Sequence, residues 1–255
     1  MARSHFRLRE QIMPPRHEPY FRWRGRAVSR IEALADAVFA FAVTLLVVAL
    51  EVPRTFDGLM NAIRGFPAFT VCFILLMIFW NAHYRFFRRY GLEDRFTRFT
   101  SIAILLFVLF CVYPLKFLFG AILQFGATNT PHIETLAQLK IIYEVYGLAF
   151  ICIWALYAAL YFHALKLRDV LGLNQAEVLQ TREPLIGFML NILVCLLSIS
   201  LAQFAVPTGL PGFAYILLGP LLGLNGMWHG RQVRALAHNQ IPQQDNRRHA
   251  ERGQM

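Results

Sequence analysis

Long apolar runs alternate with short polar segments along almost the whole chain. Each run is close to the roughly 20 residues that an α-helix needs to cross about 30 Å of hydrocarbon. The pattern therefore predicts an all-α integral membrane protein with six transmembrane helices per chain. The predicted crossings are 31–52, 66–84, 99–122, 141–165, 185–206 and 210–229.

Lysine and arginine accumulate in alternate connections between these runs, whereas the connections on the opposite side carry few of them. An excess of basic residues is typical of cytoplasmic loops. Both termini are therefore predicted to be cytoplasmic, in a multi-pass protein of the cell's inner (plasma) membrane. The basic segments are 1–30, 85–98, 166–182 and 231–252.

The same pattern divides the chain into three parts. Residues 1–29 form a basic cytoplasmic N-terminal arm, residues 30–236 the six-helix transmembrane domain, and residues 237–255 a polar C-terminal tail. The tail is expected to be disordered, because its composition offers little apolar surface to bury. In the arm, Phe21 and Trp23 are expected to anchor at the membrane surface, where aromatic side chains are enriched.

Composition excludes several functional classes. The chain is 57% hydrophobic and 16% charged. Soluble domains average about 45–50% apolar residues and about 25% charged residues, so this composition indicates a membrane protein. Its formal charge is +10, but the arginines lie between apolar runs, so nucleic-acid binding is not expected. The four cysteines lie alone in separate runs, which indicates neither a disulfide framework nor a zinc site. The histidines are dispersed, so we predict no metal site, no cofactor and no enzymatic activity.

The first apolar run, RIEALADAVFAFAVTLLVVALEVP, contains unusual chemistry for a membrane helix. At about 100° per residue, Phe41, Thr44 and Val48 share one stripe, and Glu51 lies at its outer edge. Asp36 points roughly 140° from Phe41. A carboxylate within a bilayer costs several kcal/mol unless it faces protein or water. Asp36 is therefore expected to be buried against neighbouring helices with hydrogen-bond partners.

The second helix offers partners for this carboxylate. Trp80 and His83 lie three residues apart and share a helix face. The indole N–H and the imidazole could both donate to Asp36, which would lock the first helix against the second. Two alternatives stay open: Trp80 could face lipid, and His83 could be an interfacial histidine.

These residues resemble the prokaryotic members of the transmembrane protein 175 family of potassium channels. The resemblance rests on the first run together with FWNAHYRFF in the second. The family's Phe-Ser-Asp signature is Leu34-Ala35-Asp36 here, its usual helix-3 Asn corresponds to Ala103, and its Ile or Leu gate position is Phe41. The matching positions are Arg30, Asp36, Thr44, Glu51, Trp80 and His83.

The resemblance implies a symmetric homotetramer whose first helices line a central pore that is permeable to K⁺. In that arrangement Phe41 would form a hydrophobic gate, with Thr44, Leu45 and Val48 lining the pathway, and Glu51 would attract cations at the outer mouth. The structural polar cluster would consist of Arg30, Asp36, Trp80 and His83. Selectivity would be weak to moderate, because the chain contains no TVGYG-type carbonyl filter.

Other interpretations of the same residues stay open. Phe41 and Val48 could be ordinary packing residues, and Thr44 could hydrogen-bond to the carbonyl four residues before it. Glu51 could simply reach interfacial water. For the whole protein, the alternatives are a secondary transporter or a non-conducting structural homologue.

Overall fold

The structure, a computed structural model, describes residues 21–25, 27–48, 54–123, 135–204 and 210–252. Within these residues every regular element is helical, so the predicted all-α class agrees with the fold. The helices are α1 (Arg30–Val48), α2 (Phe56–Tyr90), α3 (Arg95–Leu123), α4 (Leu136–Lys166), α5 (Arg168–Leu171), α6 (Gln175–Gln203), α7 (Leu210–Phe213) and α8 (Leu218–Arg252), with a 3₁₀ helix at Ala214–Leu217.

Five helices of the described residues are long and apolar enough to cross a membrane, namely α1, α2, α3, α4 and α6. The sixth predicted crossing, 210–229, is divided among α7, the 3₁₀ helix and the start of α8. Pro220 has no backbone N–H to donate to the carbonyl of Ile216, four residues before it, which disfavours a continuous α-helix across this point. Six crossings per chain therefore stay a prediction. Helix α8 continues to Arg252, past residue 237, where a disordered tail is predicted to begin.

Polar residues and glycines fix the helix ends. Thr55 accepts a hydrogen bond from the Gly58 backbone N–H at 3.1 Å and so caps the start of α2. Helix α2 ends at Gly91, whose φ is 60°. A glycine adopts this left-handed conformation without strain, which is why it often ends helices. These two caps make α2 35 residues long, considerably longer than its predicted apolar run.

A cluster of aromatic rings forms the core where α2, α4 and α6 meet. The rings of Phe79 and Trp154 lie 5.1 Å apart, and Trp154 stacks on Phe188 at 5.5 Å. The hydroxyl of Tyr157, which is completely buried, donates to the carbonyl of Phe79 at 2.7 Å. Helix α1 packs against α2 and α3 beside this core. One face of α1 therefore has partners within the chain.

Candidate functional site

Helix α1 has two distinct faces. The buried face contains Ile31, Ala35, Phe39, Ala42 and Leu46. The exposed face covers an arc of about 160°, at 100° per residue. The residues that define this face are Ala33, Leu34, Asp36, Ala37, Ala40, Phe41, Thr44, Val47 and Val48.

Most of the predicted pore residues lie on this exposed face. Phe41 is 55% exposed, Val48 is 72% exposed, and Thr44 is exposed as well. Leu45 is different, because it lies at the border of the face and packs partly against the core. Glu51 lies outside the described residues.

The exposed face of α1 differs in character from the outer face of α3. Small alanines and Thr44 lie along its middle. Helix α3 instead exposes bulky side chains, among them Phe99, Leu106 and Phe110. Small residues let membrane helices approach one another closely, and polar groups inside a membrane face protein or water. The exposed face of α1 is therefore better suited to other helices or to a water-filled passage than to lipid.

Thr44 directs its hydroxyl back to its own helix. Its Oγ1 donates to the Ala40 carbonyl at 3.0 Å, as one of the alternative interpretations anticipates. The donor proton is used in this bond, whereas the oxygen lone pairs are not. Thr44 can therefore still present acceptor oxygen toward a cation.

Asp36 and Trp80 form a hydrogen bond between α1 and α2. The Trp80 indole Nε1 donates to Asp36 Oδ1 at 2.8 Å. Asp36 is nevertheless exposed in the single chain, whereas the sequence predicts that it is buried. The reason is its angular position, because Asp36 lies at one edge of the exposed face. The carboxylate is therefore available to a neighbouring molecule or to water.

The other two members of the predicted cluster lie apart from this hydrogen bond. His83 is buried between the rings of Phe39 and Phe87, at 6.3 and 4.8 Å. Its Nε2 has no hydrogen-bond partner among the described residues. Arg30 is exposed. No hydrogen bond in this part of the chain joins Asp36 to either residue, so only Trp80 contacts the carboxylate as predicted.

The main ion pair at the start of α1 involves Glu32 instead. Glu32 is 3% exposed and forms a salt bridge with Arg88 of α2. Arg88 Nε donates to Glu32 Oε1 at 2.9 Å, and its Nη1 donates to the Gly25 carbonyl at 3.1 Å. Glu32 also closes a capping arrangement, because its backbone N–H donates to Ser29 Oγ at 3.2 Å. The spacing Ser-x-x-Glu is a signal that could have pointed to this site.

The segment just before α1, residues 21–25, is docked on the bundle. Phe21 is 2% exposed and packs edge-on against Tyr90 at 5.7 Å, so the expectation that it anchors at the membrane surface is wrong. Arg24 pairs with Glu177 of α6 at 2.8 Å and donates through Nε to the Leu171 carbonyl at 2.8 Å. These groups satisfy the charge of Arg24 inside the fold. The docked segment therefore connects the start of α1 to α2, α5 and α6.

A second polar contact joins the α2–α3 connection to the end of α4. Asp94 accepts a hydrogen bond from Thr97 Oγ1 at 2.6 Å, and its Oδ2 lies 3.1 Å from His163 Nε2. Burial acts to raise the pKa of Asp94, but the Thr97 hydrogen bond and the nearby His163 outweigh it, so this pKa is lowered. The pair holds the same end of the bundle as the Glu32–Arg88 salt bridge.

The chain is similar to known potassium channels. The family described as "Endosomal/lysosomal potassium channel TMEM175" matches residues 30–114, which include α1, α2 and most of α3. A potassium channel of Marivirga tractuosa is 34% identical over 233 residues, a stretch that covers 86% of this chain and 94% of the relative. The chain belongs to the TMEM175 family.

Further TMEM175 relatives are similar to this chain in sequence or in structure. A potassium channel of Streptomyces collinus is 26% identical over 77% of this chain and 91% of its own length. A crystal structure of a variant of the potassium channel MtTMEM175 has a TM-score of 0.72 and 32% identity, covering 84% of this chain and 99% of that one. A TMEM175 homologue from Chamaesiphon minutus, at a TM-score of 0.50 and 22% identity, shares the fold, covering 80% of this chain and 96% of that one.

Family membership confirms the resemblance found in the sequence. TMEM175 proteins are potassium channels and not enzymes, and K⁺ is the permeant ion. The chain is accordingly a multi-pass membrane protein with a potassium-channel function. Two contacts that the sequence analysis missed in this TMEM175 protein, Glu32–Arg88 and Arg24–Glu177, fix the helix that carries the predicted pore residues.

Proposed function

We propose that four copies of this chain assemble around an axis, with α1 of each copy lining a K⁺-permeable pathway of weak to moderate selectivity. One chain contains a single helix of this kind, which cannot enclose a passage alone. The observation that carries the proposal is the wide exposed face of α1, which bears small residues, a hydroxyl and a carboxylate. Cyclic symmetry would turn each position on that face into a ring.

Phe41 is the proposed hydrophobic gate. A ring of phenylalanines can close a narrow passage by excluding water from it. Its side chain is more than half exposed in the single chain, so it is free to meet its symmetry mates. Val48 lies seven residues, about two turns, further along the same face, and Leu45 lies at its border. Together with Phe41 these residues would form the apolar lining of the pathway.

Thr44 is the proposed contact for the permeant ion. Because its proton is donated to the Ala40 carbonyl at 3.0 Å, the hydroxyl oxygen can act only as an acceptor. Four such oxygens would offer partial compensation for the water that K⁺ loses. Glu51 is proposed to attract cations at the outer mouth. Side-chain oxygens of this kind discriminate less strictly than a carbonyl filter, which supports the modest selectivity.

The polar residues around the start of α1 are proposed to be structural. Arg30, Asp36, Trp80 and His83 would stabilise the helix within the assembly instead of contacting ions. Asp36 lies at the edge of the exposed face, where an adjacent copy would come close. We further propose six crossings per chain, with both termini in the cytoplasm and the protein in the plasma membrane.

Reconstituted flux tests the proposal directly. Purified protein in liposomes should pass K⁺ in preference to Na⁺, and native mass measurement should give a tetramer. Phe41→Ala should raise the K⁺ flux several-fold, because it removes the dewetted constriction. The matched control is Phe99→Ala, since Phe99 is an exposed phenylalanine of α3 and not of the exposed face of α1.

Each other result has a definite meaning. Unchanged flux in Phe41→Ala would remove Phe41 from the gate. An equal increase in Phe99→Ala would point to general loosening of the protein. Absence of flux in every form would indicate a non-conducting homologue, and uptake against a K⁺ gradient driven by protons would indicate a secondary transporter.

A further inference from the structure

A shallow surface pocket of about 420 Å³ lies between α5, α6 and the later part of α8, whereas α1 packs against α2 and α3. Its volume falls in the range of roughly 300–1,000 Å³ that is typical of small-molecule sites. Four of its residues, Gln175, Val178, Leu179 and Arg182, follow the i, i+3, i+4, i+7 spacing and so form one face of α6. One wall of the pocket is therefore a regular helix face.

The lining of the pocket is basic. Arg182 of α6 and Arg168 of α5 both line it, against a single acidic residue, Asp169. Arg182 is exposed, and the structure gives it no carboxylate partner within the described residues. Arg168 contacts Asp169 through Nε at 3.6 Å, and Asp169 itself is almost fully exposed. A surface pair of this kind is weak, so the terminal Nη1 and Nη2 of the Arg168 guanidinium can bind another anion.

The remaining walls are apolar. Leu173, Val178, Leu179 and Leu236 contribute aliphatic side chains beside the two arginines. Next to them, Val170 of α5 is 83% exposed. A site for a free polar anion would gain nothing from these walls. A ligand with an anionic head and an aliphatic chain would satisfy both parts of the lining.

The position of the pocket favours the same kind of ligand. It lies where α6 begins. The end of α2 and the start of α1 lie at the same end of the bundle, because Arg89 of α2 contacts Gln180 of α6 and Arg88 of α2 contacts Glu32 of α1. The apolar run of α6 starts only a few residues further on, at Leu185. The pocket therefore lies at the level where the polar end of the bundle meets the hydrocarbon.

We propose that this pocket binds the phosphate-bearing headgroup of an anionic membrane lipid, with Arg168 and Arg182 on the phosphate and the leucines against the first part of the acyl chain. The planar guanidinium of arginine forms paired hydrogen bonds with phosphate oxygens. Basic pockets between transmembrane helices on the cytoplasmic side are suited to such headgroups. The site goes beyond the proposed channel function, and its test does not require ion flux.

Binding to the whole protein in detergent provides the test. The probes are short-chain phosphatidylglycerol, phosphatidylcholine with the same chains, and inorganic phosphate, each titrated against the purified protein and followed by native mass spectrometry. The double variant Arg168→Gln/Arg182→Gln removes both guanidinium groups. Its matched control, Arg95→Gln/Arg98→Gln, removes two exposed arginines that do not line the pocket.

The unmodified protein should bind phosphatidylglycerol more tightly than phosphatidylcholine. The pocket variant should bind phosphatidylglycerol about tenfold or more weakly, as expected for the loss of hydrogen bonds to a charged group, and the control variant should bind it normally. Arg182→Lys provides a milder second variant, which keeps the charge but loses the fork of donors. It should weaken binding several-fold if the guanidinium contacts the phosphate.

Three results would overturn the proposal. Equal weakening in the pocket and control variants would mean that binding depends only on total charge. Equal affinity for the two lipids would mean that the headgroup charge is not recognised. Binding of inorganic phosphate as tight as that of phosphatidylglycerol, with the same loss in the variants, would identify a free anion as the ligand in place of a lipid.

Discussion

The salt bridge between Glu32 and Arg88 allows a quantitative test of what fixes α1. Glu32→Gln removes one negative charge and changes the side-chain volume little. Glutamine can still take the third position of a capping box, so the contact with Ser29 is retained. The variant therefore isolates the ion pair.

The expected loss of stability follows from burial. Glu32 is 3% exposed, and the side chain of Arg88 is 12% exposed. Removing one partner of a buried pair costs about 3–5 kcal/mol, because the other charge is left without compensation. Arg88 keeps its hydrogen bond to the Gly25 carbonyl at 3.1 Å, so we expect the lower end, about 3 kcal/mol. For a chain of this size that corresponds to a decrease in Tm of roughly 6–12 °C.

Thermal unfolding of the purified protein in detergent measures this decrease. Glu93→Gln is the matched control, since it makes the same change at an exposed carboxylate outside the proposed pore and polar cluster. Because Glu93 is exposed, the Tm of this variant should change by no more than about 2 °C. If Glu32→Gln had no larger effect than Glu93→Gln, the buried pair would not stabilise α1, and this reasoning would be refuted.

Three other perturbations have expected outcomes. Gly25→Ala should lower the Tm strongly because its Cβ would lie 2.2 Å from the Phe87 carbonyl oxygen, whereas Gly230→Ala, with open space around it, should not. Asp36→Ala should reduce the fraction of tetramer in native mass measurement more than it changes K⁺ over Na⁺ preference, and an intact tetramer with altered preference would contradict this. The fold lowers the pKa of Asp94 below its ordinary value of 3.8. The charged carboxylate therefore stabilises the protein above pH 3.8, and this contribution disappears as the pH falls through the pKa of the folded state. Asp94→Asn should therefore be less stable than the unmodified protein at about pH 6, and the difference should vanish in acid below the folded pKa; a difference that persists there would exclude the carboxylate as its cause.

The faces of α1 illustrate what periodicity can and cannot predict. The 100° spacing correctly groups Phe41, Thr44 and Val48 on one side of the helix. Both sides are rich in apolar residues, however, and Phe39 is as hydrophobic as Phe41. Hydrophobicity alone therefore predicts which residues share a face but not which face has partners in the chain. The expectation that Asp36 is buried is wrong for this reason.

Hydropathy predicts helix centres better than helix ends. The apolar run 66–84 marks only the middle of α2, which extends from Phe56 to Tyr90. Hydropathy reports the part of a helix that suits hydrocarbon and says nothing about its polar continuation. The true ends follow from local chemistry, because Thr55 caps the start and Gly91 adopts the left-handed conformation after the last turn.

The pairing of partners in the buried ion pairs could not be derived from the sequence. Arg24 and Glu177 are separated by 153 residues, and Glu32 and Arg88 by 56. No periodicity relates such positions, and every basic connection offers several arginines as candidates. Only the three-dimensional packing of the segment 21–25 between α2 and α6 selects these partners. The charge pattern therefore predicts which side of the membrane these residues face but not which contacts they make.

The same contacts limit how α1 can move. Arg88 connects α2 to the Gly25 carbonyl before α1 and to Glu32 in its first turn, so the start of α1 is tied to α2 by charge as well as by packing. Phe41 lies more than two turns further along, on the face without partners in the chain. A rearrangement that changes the spacing of Phe41 in an assembly must therefore either bend α1 beyond its first turns or carry α1 and α2 together. Opening of the proposed gate by movement of α1 alone would require the Glu32–Arg88 pair to break, at a cost similar to the loss of about 3 kcal/mol expected for the Glu32→Gln variant.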